Sequence, residues 1–522
     1  MTKQSSITTN FSTHEISALV NALIPSHELK PGNIDTVARL PSFYSKMQQA
    51  EKFCQSPYSE IVHQVQDALV LRRLAQMCHT VLLNPLWREL LACSGVCKGI
   101  RNFEEWQQIP LTDKNVQRDF MMGNRPGMVV PLDRGGFEIV ASGGTSSGQP
   151  VESVYALREL QDTYKIAGNF MGHYQLRNYL ASTEPKWVMT TLADYQMWSS
   201  GTMVGGVLQS IPGINYIGAG PITKDVFQHI FAYPGPKALM GITAGVAILT
   251  ELGQGMKLKD RETFRVALYG SGVLPQCKQA ELKAMYPNLA ILSYFAATQA
   301  ETIGLQMAEN SPVLAAVPGL HLIEIVDENG CWVKEGQEGE LVVTRLHAHE
   351  APLLRFKVGD RMIRRARLGN EDFGPGLKTQ QFEFSGRSND VLHLNDTQYA
   401  ATQAYTSLCR ELKVTHLLDL KALAHEIQFI NHRKAKTLTL LAAVDDAHVL
   451  NSKINYQLGA DGVRHLFTQA LIHALSLFNQ GEANLYSIEK TGYHFKLKLV
   501  PTYSPEIHRT HVGKTPLLHD IF

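Results

Sequence analysis

The chain has 522 residues, 44% of them hydrophobic and 19% charged, with a net charge of +1. At ~150 residues per domain this is roughly two to four domains with ample core material, and so even a balance excludes a basic footprint for nucleic acid or an anionic membrane. Seven cysteines, an odd number spread thinly, exclude the disulfide framework of a small secreted protein; they read as reduced, mostly buried thiols.

In chain order, the opening "MTKQSSITTNFSTHEIS" lacks the basic-then-apolar order of a secretory signal. The most apolar stretch, "ALMGITAGVAILTELG", is too short and too glycine-broken to span a bilayer. The expectation is a cytoplasmic protein. Residues 1–100 read mainly as helix, because "SEIVHQVQDALVLRRLAQMCHTVLLNPLWREL" repeats apolar residues at three- and four-residue spacing. Cys93 and Cys97 follow in "ACSGVCKG", with no second pair nearby to complete a zinc ligand set. In "IPLTDKNVQRDF", Thr112 is the candidate N-cap of a short helix. Between 136 and 345, β-type runs ("FEIVAS", "KWVMTTL", "SIPGINYIG", "RVALYG", "LAILSYFA", "HLIEIVD", "GELVVTRL") alternate with helical stretches. That alternation predicts a layered α/β domain. After "FEFSGRSND" the pattern restarts, with helix near 397–412, the strand-like "TLTLLAAV" and helix near 461–479. The predicted fold is α/β: a helical region over 1–100 packed on a large domain over 101–388, then a small α+β domain over 389–522.

"FEIVASGGTSSGQP" places a predicted strand just before a glycine–serine loop, and "ALRELQDTYKIAGNF" supplies a helix just after it. Glycines let backbone N–H groups point at an anion, and hydroxyls add donors at little steric cost. No Gly-Lys-Ser/Thr ends the loop, so it is not a Walker motif. Alone, it is equally well a flexible surface turn. It is followed in order by "SYFAATQAETIG", "EGELVVT", "LLRFKVGDR", "FSGRSNDVL" and "HRTHVGKTPLL". Together these stretches resemble the adenylate-forming superfamily of acyl-CoA synthetases, peptide-synthetase adenylation domains and luciferases, over roughly residues 100–522. "IPLTDKNVQRDF", "LHAHEAPLLRFKVGD" and "GKTPLL" are most similar to its phenylacetate–CoA ligase branch.

The resemblance implies ATP and Mg²⁺ as cofactors, a small mobile C-terminal domain, and roles for particular residues. Ser142, Gly143, Gly144, Thr145, Ser146, Ser147 and Gly148 would hold the ATP phosphates. Gly270, Ser271 and Gly272 would lie against adenine, and Phe295 and Thr298 match the family's aromatic-Gly-x-Thr-Glu motif. Asp360 would grip the ribose hydroxyls, a carboxylate being able to accept both protons of a cis-diol. Arg387 would meet the ribose and α-phosphate. Lys514 would be the catalytic residue, bridging the attacking carboxylate and the α-phosphate as charge develops between them. Tyr195, Met197 and Trp198 would either line a pocket for a flat or cyclic acid or belong to the core.

The chain also departs from the family pattern. Gln149 stands where lysine is frequent, and Gln299 replaces the glutamate that helps hold Mg²⁺; an amide offers magnesium a carbonyl oxygen without charge. Glu301, two residues on, is the other candidate. Asn389 takes the hinge position usual for aspartate, followed by Asp390. "VLHLNDTQYAATQAY" lacks the glycine and the downstream Pro and Glu of a segment that lines the pantetheine path in CoA ligases. His321 and Cys331 are too few for the zinc site of some members, so no zinc is expected. The acid activated as acyl-AMP would be cyclic or aromatic. Three outcomes stay open: transfer to the amino group of an amino acid, as in the coronafacate ligase type; transfer to coenzyme A; or a degenerate, non-catalytic nucleotide-binding homologue.

Overall fold

The computed structural model describes residues 11–95, 99–142, 151–369, 376–395, 397–474, 485–510 and 515–522. The chain forms two compact units. One comprises Met1–Gly272, Tyr286–Val358 and Met362–Phe384, the other Val273–Met285, Gly359–Arg361 and Ser385–Phe522.

The first strands of the larger unit form the hairpin of β1 (Phe137–Ala141) and β2 (Glu152–Ala156), antiparallel in register Phe137 to Ala156. Its main sheet is built from β3 (Trp187–Thr190), β4 (Asn215–Gly218), β5 (Lys237–Ile242), β6 (Phe264–Gly270), β7 (Ala290–Ala297), β8 (Glu301–Gln306), β9 (Val313–Ala316), β10 (His321–Val326), β11 (Glu338–Arg345), β12 (Phe356–Leu368) and β13 (Thr379–Arg387). The order is β10-β11-β12-β13-β9-β8-β7-β6-β5-β3-β4. The run β4-β3-β5-β6-β7 is parallel, whereas β7-β8-β9-β13 pair antiparallel. The central parallel strands are largely apolar, as expected of strands buried on both faces; in β5 every residue but Ile242 is buried. Lys237 interrupts that run. Its ammonium donates to the carbonyls of Tyr233 and Gly235 and to Thr263 Oγ1, and burial lowers its pKa to about 8.

The helical N-terminal stretch belongs to this unit. In the His63–Val81 helix Leu69, Leu74, Met77 and Val81 are fully buried, as the apolar spacing predicts. Arg73 enters the core with them and is satisfied by the Leu346 carbonyl at 2.7 Å, Gln76 and His349. A second buried guanidinium fixes the start of β12. Arg355 pairs with Glu324 at 3.0 Å, both almost fully buried, and donates to the carbonyls of Gln107, Ile109 and Gly330. Glu324 also accepts the indole N–H groups of Trp106 and Trp332. Thr112 belongs to this junction and is not the cap expected of it. Its hydroxyl donates to the Leu354 carbonyl, and Asp113 caps the Lys114–Met121 helix by accepting from the amides of Asn115 and Val116.

The smaller unit contains a hairpin of β14 (Val391–Leu394) and β15 (Thr397–Ala400). Four further strands, β16 (Glu426–His432), β17 (Thr437–Ala443), β18 (His494–Val500) and β19 (Leu518–Ile521), form a sheet in the order β18-β17-β16-β19. The helix expected near 397 starts only at Ala401, because Thr397–Ala400 pair with Val391–Leu394. The Ala401–Val414 and Gly459–Ile472 helices share its core with Leu392, Leu394 and Tyr399. Of the cysteines described, Cys78 and Cys409 are buried, Cys54 and Cys277 partly so and Cys331 exposed; these five are free thiols. Among the described residues no helix is long and apolar enough to cross a membrane.

Candidate active site

Of the glycine–serine loop, Gly143–Gly148 lie outside the described residues, and Ser142 is its last described residue on the N-terminal side. Ser142 closes the β1–β2 hairpin. Its amide donates to the Val151 carbonyl at 2.9 Å and its hydroxyl accepts from the Val151 amide at 3.1 Å. The two ends of the segment 143–150 are therefore clamped side by side.

Two other expected groups in the larger unit are tied to this hairpin. The amide of Ala141 donates to the Met197 carbonyl at 2.9 Å, joining it to the Tyr195–Trp198 turn. There Gln196 (φ 47°) and Met197 (φ 66°) both take left-handed backbone, and Tyr195 and Trp198 exchange two backbone hydrogen bonds. The turn holds Tyr195 63% and Met197 50% exposed, so these two are not core residues. Two successive non-glycine residues in this region store roughly 1–3 kcal/mol each, a cost found mostly at functional sites. On the other side of the hairpin, Tyr155 donates its hydroxyl to the Thr298 carbonyl at 2.6 Å. Arg345 lies 4.2 Å over the Tyr155 ring and donates to the carbonyls of Val154 and Ala351. Tyr155 and Arg345 are both buried.

The β7–β8 connection is irregular. The register slips between Phe295 and Ala296, the Ala300 amide closes a turn on the Ala297 carbonyl, and Glu301 takes φ 52°. Glu301 accepts the Thr163 hydroxyl at 2.5 Å, and burial pushes its pKa up to about 7. Gln299 is buried and its side-chain amide nitrogen has no hydrogen-bond partner. The Glu301 carboxylate, once ionised, and the carbonyl oxygen of Gln299 are the oxygen ligands that this connection offers a hard cation.

At the end of β6, Ser271 (φ 69°) sits between Gly270 and Gly272, and the Thr243 hydroxyl lies 3.0 and 2.9 Å from their carbonyls. A Cβ on Gly270 would fall 2.5 Å from the Tyr294 ring, so glycine is needed for this close approach.

In the smaller unit, Asp360 is 8% exposed and pairs with Arg387, the Nε lying 3.5 Å away. Asn389 sits in the turn after Arg387, closed by the Asp390 amide on the Arg387 carbonyl. Burial, reinforced by the Asp360 charge and opposed by Arg387, raises Asp390 to about 6. Lys514 lies outside the described residues.

His321 is buried and Cys331 exposed. Among the described residues one group of three has donor atoms close enough for a metal: Glu159, His349 and Glu350. Cations already fill it. Arg73 and Arg158 lie 3.0 and 3.1 Å from the two ring nitrogens of His349, and Arg158 also pairs with Glu350. Two guanidiniums would repel a metal ion from that position.

The architecture matches known structures. A 2-hydroxyisobutyryl-CoA ligase in the postadenylation state, in complex with 2-HIB-AMP, superposes with a TM-score of 0.64 at 14% identity, covering 89% of this chain and 91% of its own. The AtGH3.15 acyl acid amido synthetase in complex with 2,4-DB gives 0.56 at 14% identity, covering 88% and 89%. An open conformation of the first enzyme, holding 2-HIB-AMP and CoA, also gives 0.56, at 13% identity. The fold is that of the adenylate-forming ligases. No protein-family model matches the sequence, and a search of the curated proteins found no match.

The expected groups fall into two sets, each assembled within its own unit. The residues that sequence reasoning missed are those that hold the groups of the larger unit in place: Tyr155, Thr163, Thr243 and Arg345. Two had a signal. Tyr155 directly follows the loop in "VESVYA", and Arg345 ends the "EGELVVTR" stretch.

Proposed function

We propose that this chain is an ATP-dependent ligase that activates a cyclic or aromatic carboxylic acid as acyl-AMP and transfers the acyl group to the amino group of an amino acid. The observation that carries the reading is the clamped hairpin of β1 and β2, tied at once to the Tyr195–Trp198 turn, to Thr298 and, through Arg345, to the end of β11. A phosphate-binding loop needs a rigid base, and the exposed Tyr195 and Met197 side chains of the turn joined to it suit an acid whose carboxylate must reach the α-phosphate.

In the first step a carboxylate oxygen attacks the α-phosphorus and pyrophosphate leaves. The segment Ser142–Gly148 holds the phosphates, Asp360 accepts from both ribose hydroxyls, and Arg387 meets the ribose and α-phosphate. Lys514 stabilises the charge shared between carboxylate and phosphate. Glu301, with Gln299, would hold magnesium, which when bound neutralises phosphate charge. In the second step an amine nitrogen bonds to the acyl carbon, loses a proton, and the carbon–oxygen bond to AMP breaks.

The altered segment after Asn389 supports an amine over a thiol. Leu392, Leu394 and Tyr399 of that hairpin are committed to the core of the smaller unit. A second reading, transfer to coenzyme A, is favoured by the likeness to 2-hydroxyisobutyryl-CoA ligase. The test is a mass-spectrometric product screen with ATP, magnesium, aromatic and cyclopentane or cyclohexene carboxylic acids, and coenzyme A competing with a mixture of amino acids. Acyl-amino acids without thioester support the amide ligase. Acyl-CoA alone replaces it with the thioester reading, and absence of pyrophosphate release with every acid overturns both. Lys514→Ala should lower pyrophosphate release by orders of magnitude while ATP still binds.

A further inference from the structure

The elements assigned to nucleotide and acid lie at the C-terminal ends of the parallel strands: the Tyr195–Trp198 turn after β3 and Gly270 at the end of β6. That is where open α/β sheets bind ligands. A cavity of about 490 Å³ lies at the opposite ends. Lys186 immediately precedes β3, and Ile214 immediately precedes β4; both line it. Its volume falls in the range of small-molecule sites.

The helix Leu157–Phe170 links the two ends of the sheet. It starts directly after β2 and, at 14 residues, runs about 20 Å. At its far end the chain continues as a wide π-helical turn, Met171–Leu176, a feature frequent at functional sites. Gly168 and Gly172 seat this region tightly: an added Cβ would lie 2.5 Å from the Val207 carbonyl and 2.7 Å from Ile211 respectively. The cavity opens beside this turn, with Met47, Phe170 and Ile214 as apolar wall. Arg177 and Lys186 line it and have no ion-pair partner among the described residues. Glu51, the carboxylate on its wall, is engaged by the Tyr58 amide at 2.9 Å. Buried Tyr58 borders the cavity with its hydroxyl unpaired.

We propose that this cavity is a second small-molecule site, taking an organic anion whose apolar body lies against Met47, Phe170 and Ile214 and whose acidic group meets Arg177 and Lys186. An unpaired guanidinium and ammonium beside an apolar wall match that chemistry, the guanidinium offering paired donors to a carboxylate or sulfonate. The site stands apart from the acyl-AMP chemistry, and binding at it is independent of whether the chain is a ligase.

The test is a fluorescence titration of the full-length protein with 8-anilinonaphthalene-1-sulfonate, an anion with an apolar body, in the presence of saturating ATP. Arg177→Glu/Lys186→Glu should weaken binding at least tenfold, and the uncharged probe N-phenyl-1-naphthylamine should bind at least tenfold more weakly than the anion. Circular dichroism checks that the variant is folded; if it is not, Arg177→Gln/Lys186→Gln takes its place, with the same expectation. Unchanged affinity in the folded variant, displacement of the probe by ATP, or equal binding of the neutral probe each overturns the proposal.

Discussion

Glu324→Gln removes the charge that Arg355 faces inside the larger unit while keeping the size and shape of the side chain. Both partners are at most 1% exposed and 3.0 Å apart. Removing one member of a buried pair costs about 3–5 kcal/mol, because the other charge stays desolvated. Arg355 keeps the Gln107, Ile109 and Gly330 carbonyls, which favours the lower figure. The new amide has one acceptor oxygen for two indole donors, Trp106 and Trp332, and an unmet buried donor costs about 1–3 kcal/mol. The expected loss is therefore about 4 kcal/mol. All five tryptophans, Trp87, Trp106, Trp187, Trp198 and Trp332, lie in the larger unit, so urea unfolding followed by tryptophan fluorescence reports on that unit. Pairing the change with Arg355→Met should not recover the loss, because the Gln107, Ile109 and Gly330 carbonyls would then lose their donors. A single-variant effect below about 1 kcal/mol, or a double variant more stable than the single, would refute the reasoning.

Other outcomes are equally specific. Asp360→Ala should raise the KM for ATP in pyrophosphate release at least tenfold, since two hydrogen bonds to a charged group contribute about 1.5–3 kcal/mol each; an unchanged KM removes Asp360 from the ribose. Gly270→Ala should cost about 1–3 kcal/mol and weaken ATP binding, because its Cβ would meet the Tyr294 ring; calorimetric titration with ATP checks this. Asp390, raised to about 6 in the folded chain, is a carboxyl that burial keeps protonated up to about that pH. Its contribution to stability is full below its ordinary range and is lost as pH rises from about 4 to 6. Asp390→Asn should therefore flatten the decline of about 2–3 kcal/mol across that window in thermal unfolding; an unaltered slope refutes it.

Much of the fold was legible in the sequence because its signals are local. The 3- and 4-residue apolar spacing of the His63–Val81 helix and the short apolar runs of β3, β5 and β6 each need only their own residues to be read. Capping was less legible: Thr112 and Asp113 are both good caps by type, and the choice fell to the Leu354 carbonyl 242 positions away, which takes the threonine hydroxyl. The same holds for the site. Glycines and charged residues within motifs could be named, but Tyr155, Arg345 and Thr163 act through partners more than a hundred residues distant. Arg355 stood inside a quoted motif, "LLRFKVGDR", yet its work is to neutralise Glu324 and not to meet a ligand. The left-handed backbone of Gln196 and Met197 had no sequence signal, since neither residue favours it.

The Ser142–Val151 clamp also bears on how such a loop can change over evolutionary time. Because the hairpin register is set outside the segment 143–150, an inserted residue shifts no strand and turns no side chain to the wrong face. Closing eight residues in place of seven costs only about 0.1 kcal/mol in chain entropy. A residue more or fewer between Ser142 and Val151 is thus nearly neutral for folding, and the length of the loop can drift without disturbing the strands it joins.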